Sequence, residues 1–204
     1  VPARTIYETS SIFKLDTENN NVELFAMGIR NSFGLAVDPV TGYLWDTENG
    51  PQYFDEINLV KPGFNSGWIS VMGPVALEYP VSAIGDDSPT QTIPKPFENF
   101  EYSEPEFTWY TAVAPTEIVF TDSDNFLRYS DWLFVGDFNN GVIYKFKLNA
   151  DRTGFVFSNP ELSDLVLDPN DEIDENIFAS DFQGVIDVKF HDDAMYVLSF
   201  GDGK

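Results

Sequence analysis

Three short groups of residues carry the chemistry open to this chain: Arg30-Asn31, Asn49-Gly50-Pro51 and Asp55-Glu56. All lie inside RNSFGLAVDPVTGYLWDTENGPQYFDEINLVKPGFNSGW, from Arg30 to Trp68. A guanidinium beside carboxamides is a donor set for an oxygen-rich ligand. The acidic pair, at the head of an apolar strand and next to a Gly-Pro turn, supplies carboxylates, oxygen donors that suit calcium rather than a transition metal. Each group also has an architectural reading. Arg30-Asn31 caps a strand and bonds loop carbonyls, Gly50-Pro51 forms a turn, and Asp55-Glu56 opens an apolar strand. The runs Asp122-Ser123-Asp124-Asn125 and Asp137-Phe138-Asn139-Asn140-Gly141 resemble calcium loops but lack the full pattern ending in Glu, and read as solvated turns. The one histidine, His191, stands beside Asp192 and Asp193 in a hairpin turn, and there is no cysteine. Disulfides and thiolate metal sites are therefore excluded. No Gly-rich phosphate loop, serine-nucleophile motif or HExxH motif occurs, so no catalytic residue is assigned.

The elements that must position these groups are short strands, bounded by Gly, Asn, Asp and Pro. Ser11–Leu15 and Val22–Met27 form a hairpin across DTENNN. Gly34–Val37 and Tyr43–Asp46 form a second across DPVTG, and Glu56–Val60 adds a strand that ends at Lys61-Pro62-Gly63. A long proline-rich loop is expected over about 75–105. Glu117–Thr121, Trp132–Gly136 and Val142–Leu148 form a meander, with Asn140-Gly141 as a tight turn. Phe155–Ser158 is expected as its fourth, outer strand, followed by an acidic loop from Asp164 to Glu175 with one helical turn near Asp174–Phe178. Val185–Phe190 and Ala194–Phe200 pair across His191. Trp45, Trp68, Trp109 and Trp132 are expected to fill spaces between sheets.

Three segments repeat one plan of apolar strand, polar turn and aromatic-rich strand: FGLAVDPVTGYLW, TEIVFTDSDNF…DWLFVGDFNNGVIYKFKL and VIDVKFHDDAMYVLSFGDGK. Antiparallel repeats of this kind predict an all-β chain built of β-propeller blades. At about 45 residues per blade the chain holds three and a half to four. The whole of 1–204 then reads as a single partial propeller domain; a β-sandwich is the alternative.

The balance of 34 acidic against 11 basic residues gives a formal charge of -23. A surface this negative repels phosphate backbones, which argues against nucleic-acid binding, and it suits general solubility or divalent cations. No apolar run is long enough to span a membrane. Both termini read as cuts through a longer protein.

GIRNSFGLAVDP, ENGPQYFDEINLVKPGFNSGW and APTEIVF…LFVGDFNNGVIYKFKL with IDV…MYVLSFGDG resemble the glucose/sorbosone dehydrogenase family of soluble pyrroloquinoline quinone (PQQ) enzymes. The resemblance runs from about Ile12 to Lys204 and implies the later blades of a six-bladed propeller. It implies that Arg30 and Asn31 contact PQQ, that Asn49 and Asp55 lie beside it, that Gly50 and Pro51 offer carbonyls to the calcium bridging it, and that Glu56 binds a structural calcium. It also implies an extracellular or periplasmic location and a sugar substrate. Ser32 replaces the family's usual proline. Where the family holds its cofactor with Lys and Arg, this chain has Asn139, Gly184 and Ile186. The family's histidine base belongs to an earlier blade, so this segment alone is expected not to oxidise sugars. A rival reading is a non-catalytic, calcium-stabilised propeller that binds a glycan or protein. A third is a structural component of an acidic coat. Open blade faces imply self-association or pairing with missing blades.

Overall fold

The computed structural model describes residues 10–75, 92–121 and 124–201. Fifteen strands are present among them: β1 (Ile12–Asp16), β2 (Asn21–Met27), β3 (Ser32–Val37), β4 (Leu44–Glu48), β5 (Tyr53–Val60), β6 (Phe64–Asn65), β7 (Glu101–Tyr102), β8 (Phe107–Thr111), β9 (Pro115–Phe120), β10 (Trp132–Asp137), β11 (Val142–Lys147), β12 (Val166–Leu167), β13 (Ile177–Ala179), β14 (Val185–His191) and β15 (Ala194–Ser199). They form four sheets. The second blade runs β3-β4-β5-β8 with β12 outside it, and the third runs β9-β10-β11-β13. The first sheet is β1-β2-β6-β7 and the fourth is β14-β15. β3, β9 and β14 pack side by side as the innermost strands of successive blades. This is a partial β-propeller.

Strand alternation explains why the blades stack. On the second blade Trp45, Ile57, Leu59, Phe107 and Trp109 face the third and bury against Ile118, Leu133, Val135 and Phe146. The other face of the third blade carries Phe134 and Ile143, which bury against Val185 and Val188 of the fourth. Aromatic rings fill the wedge between blades two and three, with Phe107 and Trp109 edge to face at 5.0 Å. At the axis the strands approach too closely for side chains. A Cβ on Gly34 would stand 2.5 Å from the Thr116 carbonyl oxygen.

Hydroxyls join the blades where the backbones meet. Thr47 of β4 donates to the Thr116 carbonyl at 2.6 Å, and Thr116 of β9 donates to the Val185 carbonyl at 2.8 Å. At the far end, Arg152 grips Asp38 with Nε and Nη2, both at 2.7 Å, and donates Nη1 to the Ser130 carbonyl. This buried pair ties the β3–β4 turn to the exit of β11. Burial pushes the Asp38 carboxyl upward, but the Arg152 guanidinium and the Thr41 hydroxyl outweigh it and hold the carboxyl below its usual value.

The hairpins and the meander fall where the sequence places them, within a residue or two, with the start of β5 three residues early. Five strands, β6, β7, β8, β12 and β13, lie where no strand is expected. The outer strand of the third blade is β13 rather than Phe155–Ser158. Phe155 keeps only an isolated bridge to Leu148, because its ring turns inward against Trp45 and Phe146. A 3₁₀ turn at Asp174–Asn176 precedes β13, as expected. Trp45 and Trp109 fill the space between blades, whereas Trp68 and Trp132 are half-buried. Most of the expected proline-rich loop, 76–91, and Asp122 and Ser123 of the first acidic run lie outside the described residues. No described helix is long and apolar enough to cross a membrane.

Arg152→Ala should lower stability in urea denaturation by about 3–5 kcal/mol, because it leaves a buried carboxylate without its counter-ion. Arg152→Lys should recover only part of that loss, since an ammonium cannot make the forked pair. A loss below about 1 kcal/mol would mean that Thr41 and the Val40 N–H suffice to hold Asp38.

Candidate cofactor and metal site

β3 starts, β4 ends, β5 starts and β9 starts at the same mouth of the stack, as the pairings Ser32 with Glu48 and Asp137 with Pro115 require. This brings together Arg30, Asn31, Asn49, Gly50, Pro51 and Asp55. The Arg30 guanidinium donates Nη1 to the Asn49 carbonyl at 2.7 Å and lies over the Trp68 ring at 5.3 Å. Among the described residues its other guanidinium N–H groups make no hydrogen bond. Asn31 is exposed, and its carbonyl accepts from the Asn49 N–H at 3.0 Å. The Asn49 amide reaches across to the Pro115 carbonyl of the next blade at 2.9 Å. Gly50 and Pro51 are half-buried, and a Cβ on Gly50 would sit 2.0 Å from the Tyr53 carbonyl oxygen. Only glycine allows that closure of the loop.

Asp55 organises this mouth from beneath. One carboxylate oxygen accepts from the Gly50 N–H and the other from the Val113 and Ala114 N–H groups, each at 2.7 Å. It therefore clamps the Gly-Pro loop to the β8–β9 connection. Burial raises its pKa, and these three N–H groups oppose the rise. Asn139 stands at the same mouth and donates its amide to the Ala112 carbonyl at 3.1 Å. Gly184 packs beneath Phe138. His191 lies at the opposite end of β14, exposed and beside Asp192, at 3.5 Å. Asp137 accepts from the Asn140 N–H and amide and from the Tyr144 hydroxyl, as a turn-forming carboxylate does.

Glu56 leads to a feature absent from the sequence reading. The face of the second blade turned toward the first carries Asp46, Glu48, Glu56 and Asn58, all at most 2% exposed. Glu48 and Glu56 are cross-strand partners, and so are Asp46 and Asn58. Ser66 Oγ lies 2.7 Å from Glu48 and 3.3 Å from Glu56, while the Asn58 amide lies 3.1 Å from Glu56 and 3.4 Å from Glu48. The Gly73 N–H donates to Glu56 at 2.6 Å, and the Arg30 N–H donates to Glu48. Among the described residues neither oxygen of Asp46 meets a donor in good hydrogen-bond geometry, although Ser32 and Asn58 lie close enough to oppose part of the effect of burial. Burial pushes Asp46 up to about 7 and Glu56 up to about 8. Glu48 is driven well up by burial and by the charges of Glu56 and Asp46. Among the described residues no cationic side chain neutralises the group.

Buried carboxylates in this state hold protons or a cation. The donors are all oxygens, which fits a hard cation. Among the described residues no three acidic or histidine side chains converge into a ready metal cage, so carbonyls or water would complete any shell. The mouth fits one flank of an anionic, carbonyl-rich ligand, with Arg30 as its cation. Of the missed residues, Asp46 and Glu48 had one signal in the sequence, acids alternating with Trp45 and Thr47 inside a strand, whereas Asn58 and Ser66 had none.

An acid with a raised native pKa binds more protons than the unfolded chain between about 4, its unfolded value, and the native value. Stability contributed here is therefore present at low pH and lost as pH rises through about 4 to 8, from Asp46 and Glu56 alike. The melting temperature in chelator should fall across that window, and a rise would show that the acids are not held protonated. Asp55→Asn keeps one acceptor oxygen for three N–H donors and should cost about 2 kcal/mol in denaturant unfolding. No loss in the ligand-free chain would show that the clamp does not hold the mouth.

The chain matches the Glucose / Sorbosone dehydrogenase family over residues 11–168. It is 29% identical over 132 residues to the aldose sugar dehydrogenase YliI of Escherichia coli (strain K12), covering 64% of this chain and 33% of that protein. The soluble aldose sugar dehydrogenase of Escherichia coli in its apo-form superposes with a TM-score of 0.57 at 25% identity, over 87% of this chain and 44% of that one. The PQQ-bound aldose sugar dehydrogenase of Streptomyces coelicolor gives 0.60 at 18% identity, over 96% and 48%. The chain thus spans a third of the curated relative and under half of either structure. With its residue motifs, its blades and this match over most of its length, the chain belongs to the glucose/sorbosone dehydrogenase family.

Proposed function

We propose that this chain builds one flank of the cofactor mouth of a PQQ- and calcium-dependent sugar dehydrogenase. The observation that carries the reading is the Arg30 guanidinium, set at the mouth by Asn49 and Trp68 with donors left over. Those donors suit a ligand carboxylate, and Asn31 and Asn49 flank them. In this reading the Gly50 and Pro51 carbonyls would hold calcium beside the cofactor. Glu56 and Glu48 would hold a second calcium, with Asp46 contributing charge. Arg30 joins the two sites, since its N–H meets Glu48 while its guanidinium meets the mouth. When bound, the quinone supplies the two-electron acceptor and calcium the Lewis acid.

This chain's own groups orient, exclude water and balance charge. They do not remove the sugar's hydroxyl proton, because the one histidine sits at the other end of β14. The base would come from outside the chain, and the 204 residues alone are proposed to be inactive. The second reading, a calcium-stabilised propeller that binds a glycan or protein, is favoured by Asn139, Gly184 and Ile186. Asn139 spends its amide on the Ala112 carbonyl rather than offering a cation.

Calorimetric titration of PQQ with calcium present, beside calcium alone, tests the proposal. Micromolar, calcium-dependent PQQ binding is expected, without sugar oxidation. Arg30→Ala should weaken it about ten- to hundredfold, the loss of one charge-assisted pair. Calcium alone should raise the melting temperature most at alkaline pH, and Glu56→Gln should abolish that gain. Calcium binding without PQQ binding would sink the first reading and leave the second.

A further inference from the structure

The acidic face of the second blade and the mouth share their backbone. Two segments run side by side there, 27–30 leading into β3 and 65–68 leaving β6. The Ser66 N–H donates to the Met27 carbonyl at 3.1 Å, and the Trp68 N–H donates to the Gly28 carbonyl at 2.9 Å. Their approach is close, since a Cβ on Gly28 would stand 2.1 Å from Asn65 Oδ1. One segment ends at Arg30 and the other at Trp68, and the guanidinium lies over the ring at 5.3 Å.

Glu48 and Glu56 hold both partners of that stack. Glu48 Oε1 accepts from the Arg30 N–H at 2.5 Å. Glu56 Oε1 accepts from the Gly73 N–H at 2.6 Å. Ser66 Oγ stands 2.7 Å from Glu48 Oε2 and 3.3 Å from Glu56 Oε2. The loop that carries Trp68 is therefore fastened at Ser66 and at Gly73 to the same two carboxyl groups that fasten Arg30. Their Oε1 atoms are taken by backbone N–H groups. Their Oε2 atoms converge on one hydroxyl, which has a single proton to give. The two residues are cross-strand partners, so their charges repel when both are ionised. A divalent cation removes that repulsion and lets both ionise together. Hydrogen bonds from N–H groups to an ionised carboxylate are roughly twice as strong as those to a neutral acceptor.

We propose that Glu48 and Glu56 are positioning residues of the mouth: a divalent cation shared by them fixes the Arg30–Trp68 stack and so raises the affinity of the mouth for a carboxylate ligand. By linkage, the ligand raises the affinity for that cation by the same factor. The ligand half of the inference rests on the proposed cofactor mouth, while the cation half needs only these carboxylates, the loop and Arg30. Calcium then acts on the ligand in two ways, beside it at the Gly50-Pro51 loop and at a distance by ordering the guanidinium.

The test adds calcium to the metal-free 204-residue chain at one fixed pH. Near-ultraviolet circular dichroism of wild type minus Trp68→Phe isolates the ring. A calcium-induced change in the Trp68 band is expected. Glu48→Gln keeps the shape of the side chain without its charge and should remove that change. Glu56→Gln should remove it as well, and serves if Glu48→Gln fails to fold. In calorimetry at saturating calcium, Glu48→Gln should weaken PQQ binding about tenfold. In an Arg30→Ala background it should weaken binding no further, because the effect runs through Arg30. A Trp68 band that ignores calcium in wild type, or responds equally in the carboxamide variants, would overturn the proposal. So would PQQ affinity unchanged by Glu48→Gln, or losses that add in the double variant. A Trp68 response lost in both carboxamide variants, in a chain that does not bind PQQ, would uphold the positioning and bring down the cofactor reading instead.

Discussion

The rest of the molecule is organised around one strand whose two faces are chemically opposed. β4 reads LWDTE, and its alternation sends Trp45 and Thr47 to the third blade and Asp46 and Glu48 to the first. The first face supplies ring packing and a hydroxyl contact. The second buries carboxylates with no cationic partner among the described residues. An uncompensated charge in a low-dielectric interior costs several kcal/mol, so this face exists only with protons or a cation on it. Structure on either side inherits that condition. Ser66 and Gly73 are drawn in from the loop that follows β6, and Arg30 is drawn in at the entrance to β3.

The mouth is thus held from two directions. From below, Asp55 ties three N–H groups of two different loops to one carboxylate. From the side, the Arg30 backbone depends on Glu48. A change in charge at Glu48 is therefore felt one residue away, at the guanidinium that faces the mouth. Rigid elements carry this: β4 and β5 are paired along their full common length, from Leu44 with Val60 to Glu48 with Glu56. Sites placed on paired strands keep their geometry better than sites on free loops.

Much of this was legible in the residues. Tight turns fixed the hairpins, because Pro39, Gly42 and Asn140-Gly141 allow few other backbone paths. The groups at the mouth were legible because their types are rare together. Asp46 and Glu48 were not, since an acid near a strand end usually marks solvent, and only the arrival of β6 and its following loop buries them. Ser66 was silent for the same reason. β8, FTWYT, carries aromatic and β-branched residues and lay within reach of propensity, but it follows a proline-rich stretch that masks its boundary. Phe155–Ser158 failed as a strand because its aromatic content reflects a demand of the core, not of a sheet edge.

Net charge and site charge have to be weighed together. At a formal -23 the chain repels an anionic ligand from beyond contact distance, within a Debye length of about 8 Å at physiological salt. Under the proposed reading, a tricarboxylate must overcome that field and meets one local guanidinium, Arg30. One guanidinium pairs with one carboxylate. The remaining charge needs a divalent cation, and the same negative surface that repels the cofactor concentrates such cations. Calcium at the Gly50-Pro51 loop would then be required for the ligand to bind at all, rather than only for its chemistry. An anionic cofactor on an acidic propeller is consistent only if the metal arrives first.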